Sequence, residues 1–217
     1  MRLDPTGVTA SRPATLSLLA RAVLMELKIY SSIGRAIARR PAIDPGGSGF
    51  SYHRPVMTIL IVFIALSALE IPILDLIVHR WPVVRIVVLI IGIWGLTWMI
   101  GLLCAYFMRP HVVSPRGLHI REGLEIDIFL NWDDIASVAR VRQVDPPKTA
   151  RFTTTDGRTQ LSLRMQDEVN IEIRLERPTT VRLPGRPPKG GAQEAEIIRI
   201  WTDNPVGYLK AVDEHMP

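Results

Sequence analysis

Two carboxylates, Glu70 and Asp75, stand in the stretch "SALEIPILDLIVHRW" (residues 67–81), inside an otherwise apolar run. A carboxylate in apolar surroundings takes up a proton, finds a donor or a cation, or faces another molecule, so each has to be placed by depth. Elsewhere the residue types able to do chemistry are scattered. Asp133 and Asp134 are adjacent, which on a strand sends their side chains apart and suits contacts to turn amides rather than paired acid–base work. His111 and His119 have no Cys, Asp or Glu around them at metal-ligand spacing. "PGRPPKGG" lacks the phosphate-loop spacing and the hydroxyl that follows it. Ser114, Ser137 and Ser162 lack the flanking pattern of a nucleophile elbow. The sequence is therefore read as a protein without catalytic residues, metal or cofactor.

The elements that hold these residues follow from hydropathy. Glu70 and Asp75 are the only charges from Val56 to Val78, and there are none from Ile86 to Met108. Each run has 23 residues, enough for a helix at about 1.5 Å per residue to cross roughly 30 Å of hydrocarbon. The expectation is a transmembrane hairpin over 55–108, with helices at about 56–78 and 84–108 joined by the short turn "HRWPVV". A pair of buried core helices would need more surrounding protein than the chain provides. Arg35, Arg39, Arg40 and Arg54 precede the hairpin and Arg109, Arg116 and Arg121 follow it, while the turn side holds only Arg80 and Arg85. The positive-inside bias then puts both ends in the cytoplasm and the hairpin in the cell membrane. "TLSLLARAVLMELKIYSS" is broken by Arg21, Glu26 and Lys28, so it does not read as a cleaved leader. The single Cys104 lies in the second span and forms no intrachain disulfide.

Depth separates the two acids. Asp75 falls near the outer edge, level with Arg85, and the two are expected to pair. Glu70 follows Val56 by 14 residues, about 21 Å along the axis and still within hydrocarbon. Opposite it lie residues 92–97, with Trp94, Thr97 and the nearby Trp98 as donors. Three roles stay open for Glu70: glue between helices or between copies of the chain, contact with a partner's membrane segment, and transport. Pro72 frees the Ala68 carbonyl and is expected to kink the helix. Gly92, Gly95, Gly101 and Ala105 suit close helix approach.

Charge is uneven along the chain. Between Arg12 and Arg54 seven basic residues face Glu26 and Asp44, an excess of five that equals the net charge of the whole chain, whereas residues 109–217 are balanced at 16 of each sign. A basic excess beside the membrane points to anionic lipid of the inner leaflet, not nucleic acid, with Arg35, Arg39, Arg40, Arg54, Arg109 and Arg116 as the contacts. Leu16, Leu19, Val23, Leu27, Tyr30 and Ile37 recur at helical spacing. Such a helix either lies on the leaflet or packs on the cytoplasmic domain. "PAIDPGGSGF" closes this segment (1–54) as a linker.

After Met108 the pattern alternates. "GLHIRE", "EIDIFLNW", "SVARVRQV", "NIEIRLE", "TTVRL" and "EIIRIWT" read as strands, and Asp156-Gly157 as a tight hairpin turn. "DPPK" and "GRPPKGGAQEAE" read as loops. "DNPVGYLKAV" reads as a helix capped by Asn204 with Pro205 at its first position. About seven strands closed by a helix make a small β-sandwich or barrel over 109–217.

The run "SPRGLHIREGLEIDIFLNWDDIASV" (residues 114–138), with the turn Trp132, Asp133, Asp134 and Ile135, resembles the start of bacterial pleckstrin-homology-like (PH-like) domains that follow a transmembrane hairpin, and "DNPVGYLKAV" is similar to their closing helix. The resemblance spans residues 111–215. It implies a seven-stranded PH-like barrel with a capping helix, in which the 132–135 turn is structural. It carries over no catalytic residue and no inositol-phosphate site, whose basic cluster has no counterpart in the first hairpin. The function expected is an integral membrane protein whose cytoplasmic domain serves as an interaction or scaffolding module, with a protein partner or a second copy. The alternatives are an anionic-lipid-sensing membrane organiser and an accessory subunit of a transporter that uses Glu70.

Overall fold

The computed structural model describes residues 18–144, 150–155, 157–184 and 190–216. Leu16, Asp156 and the runs "DPPK" and "GRPPK" lie outside the described residues, as do the side chains of Leu19 and Arg21. The chain begins with α1 (Leu18–Ile37) and a short strand β1 (Ser48–Phe50). Two long helices follow, α2 (Arg54–Val78) and α3 (Pro82–Met108). Both are long and apolar enough to cross a membrane. None of the residues of α2 is buried, and in α3 only Gly101 and Ala105 are. Their apolar side chains therefore point outward on nearly every side.

α2 starts with Pro55 near its N-terminus and runs through Pro72 without ending. Proline costs little at a first turn, where the N–H has no partner anyway, and removes one bond in mid-helix. The Trp81 N–H donates to Val78 O at 2.9 Å and Pro82 opens α3, so the turn occupies three residues. Gly92 brings the helices together: a Cβ there would stand 3.0 Å from Ile71 Cγ1. Gly95 faces open space instead. Gly101 and Ala105 serve α1, whose Ile29 packs on them with Leu124.

α1 divides its circumference three ways. Met25, Ile29 and Ile33 recur every four residues and pack on Trp98, Leu102 and Ala105. Val23, Leu27 and Tyr30 stay exposed on another face, and Lys28, Ser32 and Arg35 turn toward the β domain. Packing on the chain and an outward apolar face thus coexist on one helix.

After α3 the chain runs directly into β2 (His111–Ser114), β3 (Gly117–Glu122) and β4 (Ile126–Asn131), a 3-10 turn (Trp132–Asp134), then β5 (Ile135–Val144), β6 (Arg151–Thr155), β7 (Arg158–Leu163), β8 (Glu168–Leu183), β9 (Gly191–Ile200) and α4 (Pro205–Asp213). One sheet has the order β1-β2-β3-β4 and the other β5-β8-β9-β7-β6. All pairings are antiparallel except β7 with β9, which is parallel. β4 shows the alternation plainly, with Ile126, Ile128 and Leu130 buried and Asp127, Phe129 and Asn131 exposed. The core joins these to Leu118 and Ile120 from the same sheet, to Ile171, Ile173 and Ile198 from the other, and to Tyr208 and Val212 of α4.

Four expectations need correction. The linker contributes a strand: Ser48–Phe50 pairs with Val113–His111, so residues before the helices complete a sheet formed after them. "NIEIRLE" and "TTVRL" are one strand, β8, because a register shift between Arg174 and Thr179 takes up Pro178 at the irregularity. "HVVS" is a strand, buried at all four positions, which period-two reading misses. β9 begins at Gly191, inside the run read as a loop. β6 and β7 form an antiparallel hairpin, with Thr155 opposite Arg158 and Gly157 at φ +75°, a conformation glycine adopts without strain.

Candidate functional site

Glu70 lines a groove of about 570 Å³ between α2 and α3, together with Ser67, Leu74, Ile91, Trp94 and Gly95. None of the expected donors reaches it. Thr97 Oγ1 donates to Ile93 O at 2.8 Å, and Trp94, 54% exposed, lines the groove without hydrogen-bonding to Glu70. Among the described residues no group hydrogen-bonds or ion-pairs with Glu70. Asp75 behaves as expected, holding Arg85 through both oxygens at 2.5 and 2.8 Å.

A second cluster forms where α1, the end of α3 and the β domain meet. Arg109 follows the last residue of α3; its Nη1 donates to Leu124 O at 2.8 Å and its Nη2 to Asp127 Oδ2 at 3.1 Å. Lys28 Nζ donates to the same carbonyl at 3.0 Å. Arg121 reaches Asp127 Oδ1 through Nε at 3.4 Å, donates through Nη1 to Ala42 O and through Nη2 to His119 Nδ1 at 2.6 Å. Arg35 completes the ring, and its guanidinium has no partner among the described residues. These groups, with Ser31 and Ser32, line a cavity of about 330 Å³ in which four cations face one carboxylate, Asp127. Carbonyl oxygens fix Lys28, Arg109 and Arg121 in place, and the two arginines share the single charge of Asp127.

The remaining predicted contacts disperse. Arg39, at φ 51°, and Arg40 are exposed beyond α1. Arg54 opens α2, where its N–H donates to Asp203 Oδ2 at 3.2 Å. Arg116 is exposed and lies 3.9 Å from Asp44. In the 132–135 turn, Trp132 Nε1 donates to Ser114 O at 3.1 Å, Asp133 is exposed and Ile135 is buried. Asp134 contacts no turn amide; it accepts from Arg177 at 2.7 Å.

The same junction holds two buried titratable groups that sequence reasoning did not single out for a role. His111 stacks on Tyr52 at 4.7 Å, accepts from the Arg121 N–H on Nδ1 and donates from Nε2 to Trp201 O. That pattern needs a neutral ring, and burial lowers its pKa to about 4. Burial pushes Glu122 up to about 7, and its Oε2 has no partner among the described residues. Tyr52 accepts the Gly123 N–H beside it at 2.9 Å.

The convergence of Lys28 and Arg35 with Arg109 and Arg121 was partly open to detection, since 28, 31, 32 and 35 share one helical stripe. The Leu124 carbonyl that gathers them carries no side-chain signal. Compared with family models, curated proteins and solved structures, the chain matches none.

Proposed function

We propose that this chain is an integral membrane interaction protein whose hairpin receives a membrane helix of another protein in the groove at Glu70. In this reading α2 and α3 span the cell membrane, both ends are cytoplasmic, and the β domain, of PH-like kind, sits against the inner face as a scaffold. The observation that carries it is the unpartnered carboxylate of Glu70 in an open groove between two helices long and apolar enough to cross a membrane. An acid there is costly without a donor, and a helix bearing an amide, hydroxyl, indole or basic group at that level supplies one. The open floor at Gly95 allows close approach. The outward apolar surface of both helices argues for lipid around the rest.

The β domain is braced for scaffolding. The Asp203 N–H donates to Ser51 O at 2.8 Å and Gln166 Nε2 to Pro55 O at 2.8 Å, ahead of and at the start of α2. With β1 paired to β2 and Arg109 bound to Leu124 O, the domain is fixed to both helices and not merely tethered. The meander β2-β3-β4, the Trp132 turn and α4 support the PH-like assignment, whereas the parallel β7–β9 pair departs from it.

The test places a photo-crosslinking residue at Leu74 or Ile91 of the full chain in its native membranes. One polypeptide adduct is expected, lost in Glu70→Leu and largely kept in Glu70→Gln. Adducts with lipid alone would sink the proposal. An adduct of twice the chain mass would give the groove to a second copy instead.

A further inference from the structure

The cavity bounded by Lys28, Arg35, Arg109 and Arg121 answers to a different ligand from the Glu70 groove. We infer that it is a binding site for the phosphate of an acidic phospholipid headgroup. Four cations and one carboxylate leave a surplus of three positive charges in a space of about 330 Å³. Like charges so close repel, the more strongly because the side chains of Arg109 and Arg121 are only 15% and 8% exposed. A phosphate relieves that repulsion and accepts several charge-assisted hydrogen bonds at once. Because Leu124 O, Ala42 O and Asp127 already hold Lys28, Arg109 and Arg121, little side-chain freedom is lost on binding. Arg35 is the free donor that closes over the ligand.

Position selects the lipid form of the phosphate. Arg109 is the residue after the last turn of α3, so the cavity lies at headgroup level if α3 spans the membrane. α1 supplies the rest of the fit. Its Val23, Leu27 and Tyr30 are 51%, 59% and 48% exposed, an outward apolar stripe suited to the acyl region beside the headgroup. A basic pocket between helices on the inner side is a known form of acidic-headgroup recognition. The inference rests on the membrane reading of α2 and α3 and is independent of the partner proposed for Glu70.

The experiment uses full-length protein in nanodiscs of phosphatidylcholine doped with phosphatidylglycerol, with retained lipid measured by native mass spectrometry. Incorporation into nanodiscs, scored separately, reports whether the hairpin takes up bilayer at all. Enrichment of phosphatidylglycerol over the doped fraction is expected. At about 1 kcal/mol per basic residue, Lys28→Gln and Arg35→Gln should each weaken retention about fivefold. Arg116→Gln and Arg54→Gln remove equal charge at other faces and should leave it unchanged. Equal losses in all four variants would mean diffuse attraction and overturn the site. In a second arm, inorganic phosphate is titrated against protein in pure phosphatidylcholine. Binding of phosphate that depends on Lys28 and Arg35, without enrichment of phosphatidylglycerol, would overturn the lipid source and assign the cavity to a soluble phosphate.

Discussion

Ile29 of α1 fills the notch that Gly101 leaves in α3, so closely that a Cβ on Gly101 would collide with Ile29 Cγ2. Ile29 is fully buried there although its helix is otherwise half exposed. The contact fixes where α1 sits, and so where Lys28 and Arg35 are delivered. Gly101→Val overfills the notch, at a cost of about 1–3 kcal/mol. The expected result is faster proteolysis within α1 and loss of a disulfide engineered between α1 and α3. Gly95→Val, set in open space, should leave α1 docked.

Asp75 and Arg85 bind across the turn, through Nε–Oδ1 at 2.5 Å and Nη2–Oδ2 at 2.8 Å. A forked pair is worth more than a single contact, though its exposure to solvent and salt limits it. Asp75→Asn and Arg85→Gln should each loosen the turn, and the double variant should be no worse than either single one. Fluorescence transfer between labels on the two helices reads this. Fully additive losses would show that the pair contributes nothing.

Glu122 and His111 give opposite pH dependences from neighbouring strands. Glu122 is raised by burial from 4.5 to about 7. From pH 4.5 to 7 the folded chain therefore holds a proton the unfolded chain has lost, and this contribution to stability declines as pH rises. His111 is lowered by burial from 6.5 to about 4, with Trp201 O and Asp203 opposing and Arg121 assisting. Its contribution is present above 6.5 and declines as pH falls toward 4. The slopes offset each other between 4.5 and 6.5. Each is on the order of 3 kcal/mol in full. Glu122→Gln removes one side of this balance, so protection of the Arg121 and Gly123 amides from hydrogen exchange should collapse on acidification from 6.5 to 4. In the unaltered chain it should change little down to 4.5. A flat profile in Glu122→Gln would refute the His111 assignment.

What the sequence made legible was local. The two long helices show as apolar windows, the first broken only by Glu70 and Asp75, the Asp75–Arg85 pair follows from counting residues across a short turn, and Asn204 carries the cap pattern that its Oδ1 fulfils by accepting from the Gly207 N–H at 3.0 Å. What stayed hidden was set at a distance or by backbone. Ser48–Phe50 has no apolar period to declare it a strand, and it exists because β2 offers an edge. Pro178 reads as a strand end until the irregularity in β8 absorbs it. The parallel pairing of β7 with β9 has no signature in either segment. Lys28 and Leu124 O are 96 residues apart, so the basic cavity emerges only when three elements fold together. Glu70 was visible as an oddity, while its lack of a partner required the placement of Thr97 and Trp94.

Tyr208 is the largest group that α4 inserts into the core. It is fully buried, meets Phe50 edge-on at 5.2 Å, and its hydroxyl has no hydrogen-bond partner among the described residues. A buried hydroxyl without a partner has lost its water and gained nothing in return, a cost of about 1–3 kcal/mol. The ring earns the position through packing alone. Tyr208→Phe keeps the ring and removes the orphan oxygen, so it should stabilise the β domain by about 1 kcal/mol. Asn204→Ala, which strips the cap from the same helix, should destabilise it by about the same amount. Chemical denaturation of the reconstituted protein, followed by the exposure of Trp132 and Trp201, separates the two effects. A loss of stability in Tyr208→Phe would mean that a bound water completes the hydroxyl, and the site would then be a polar one.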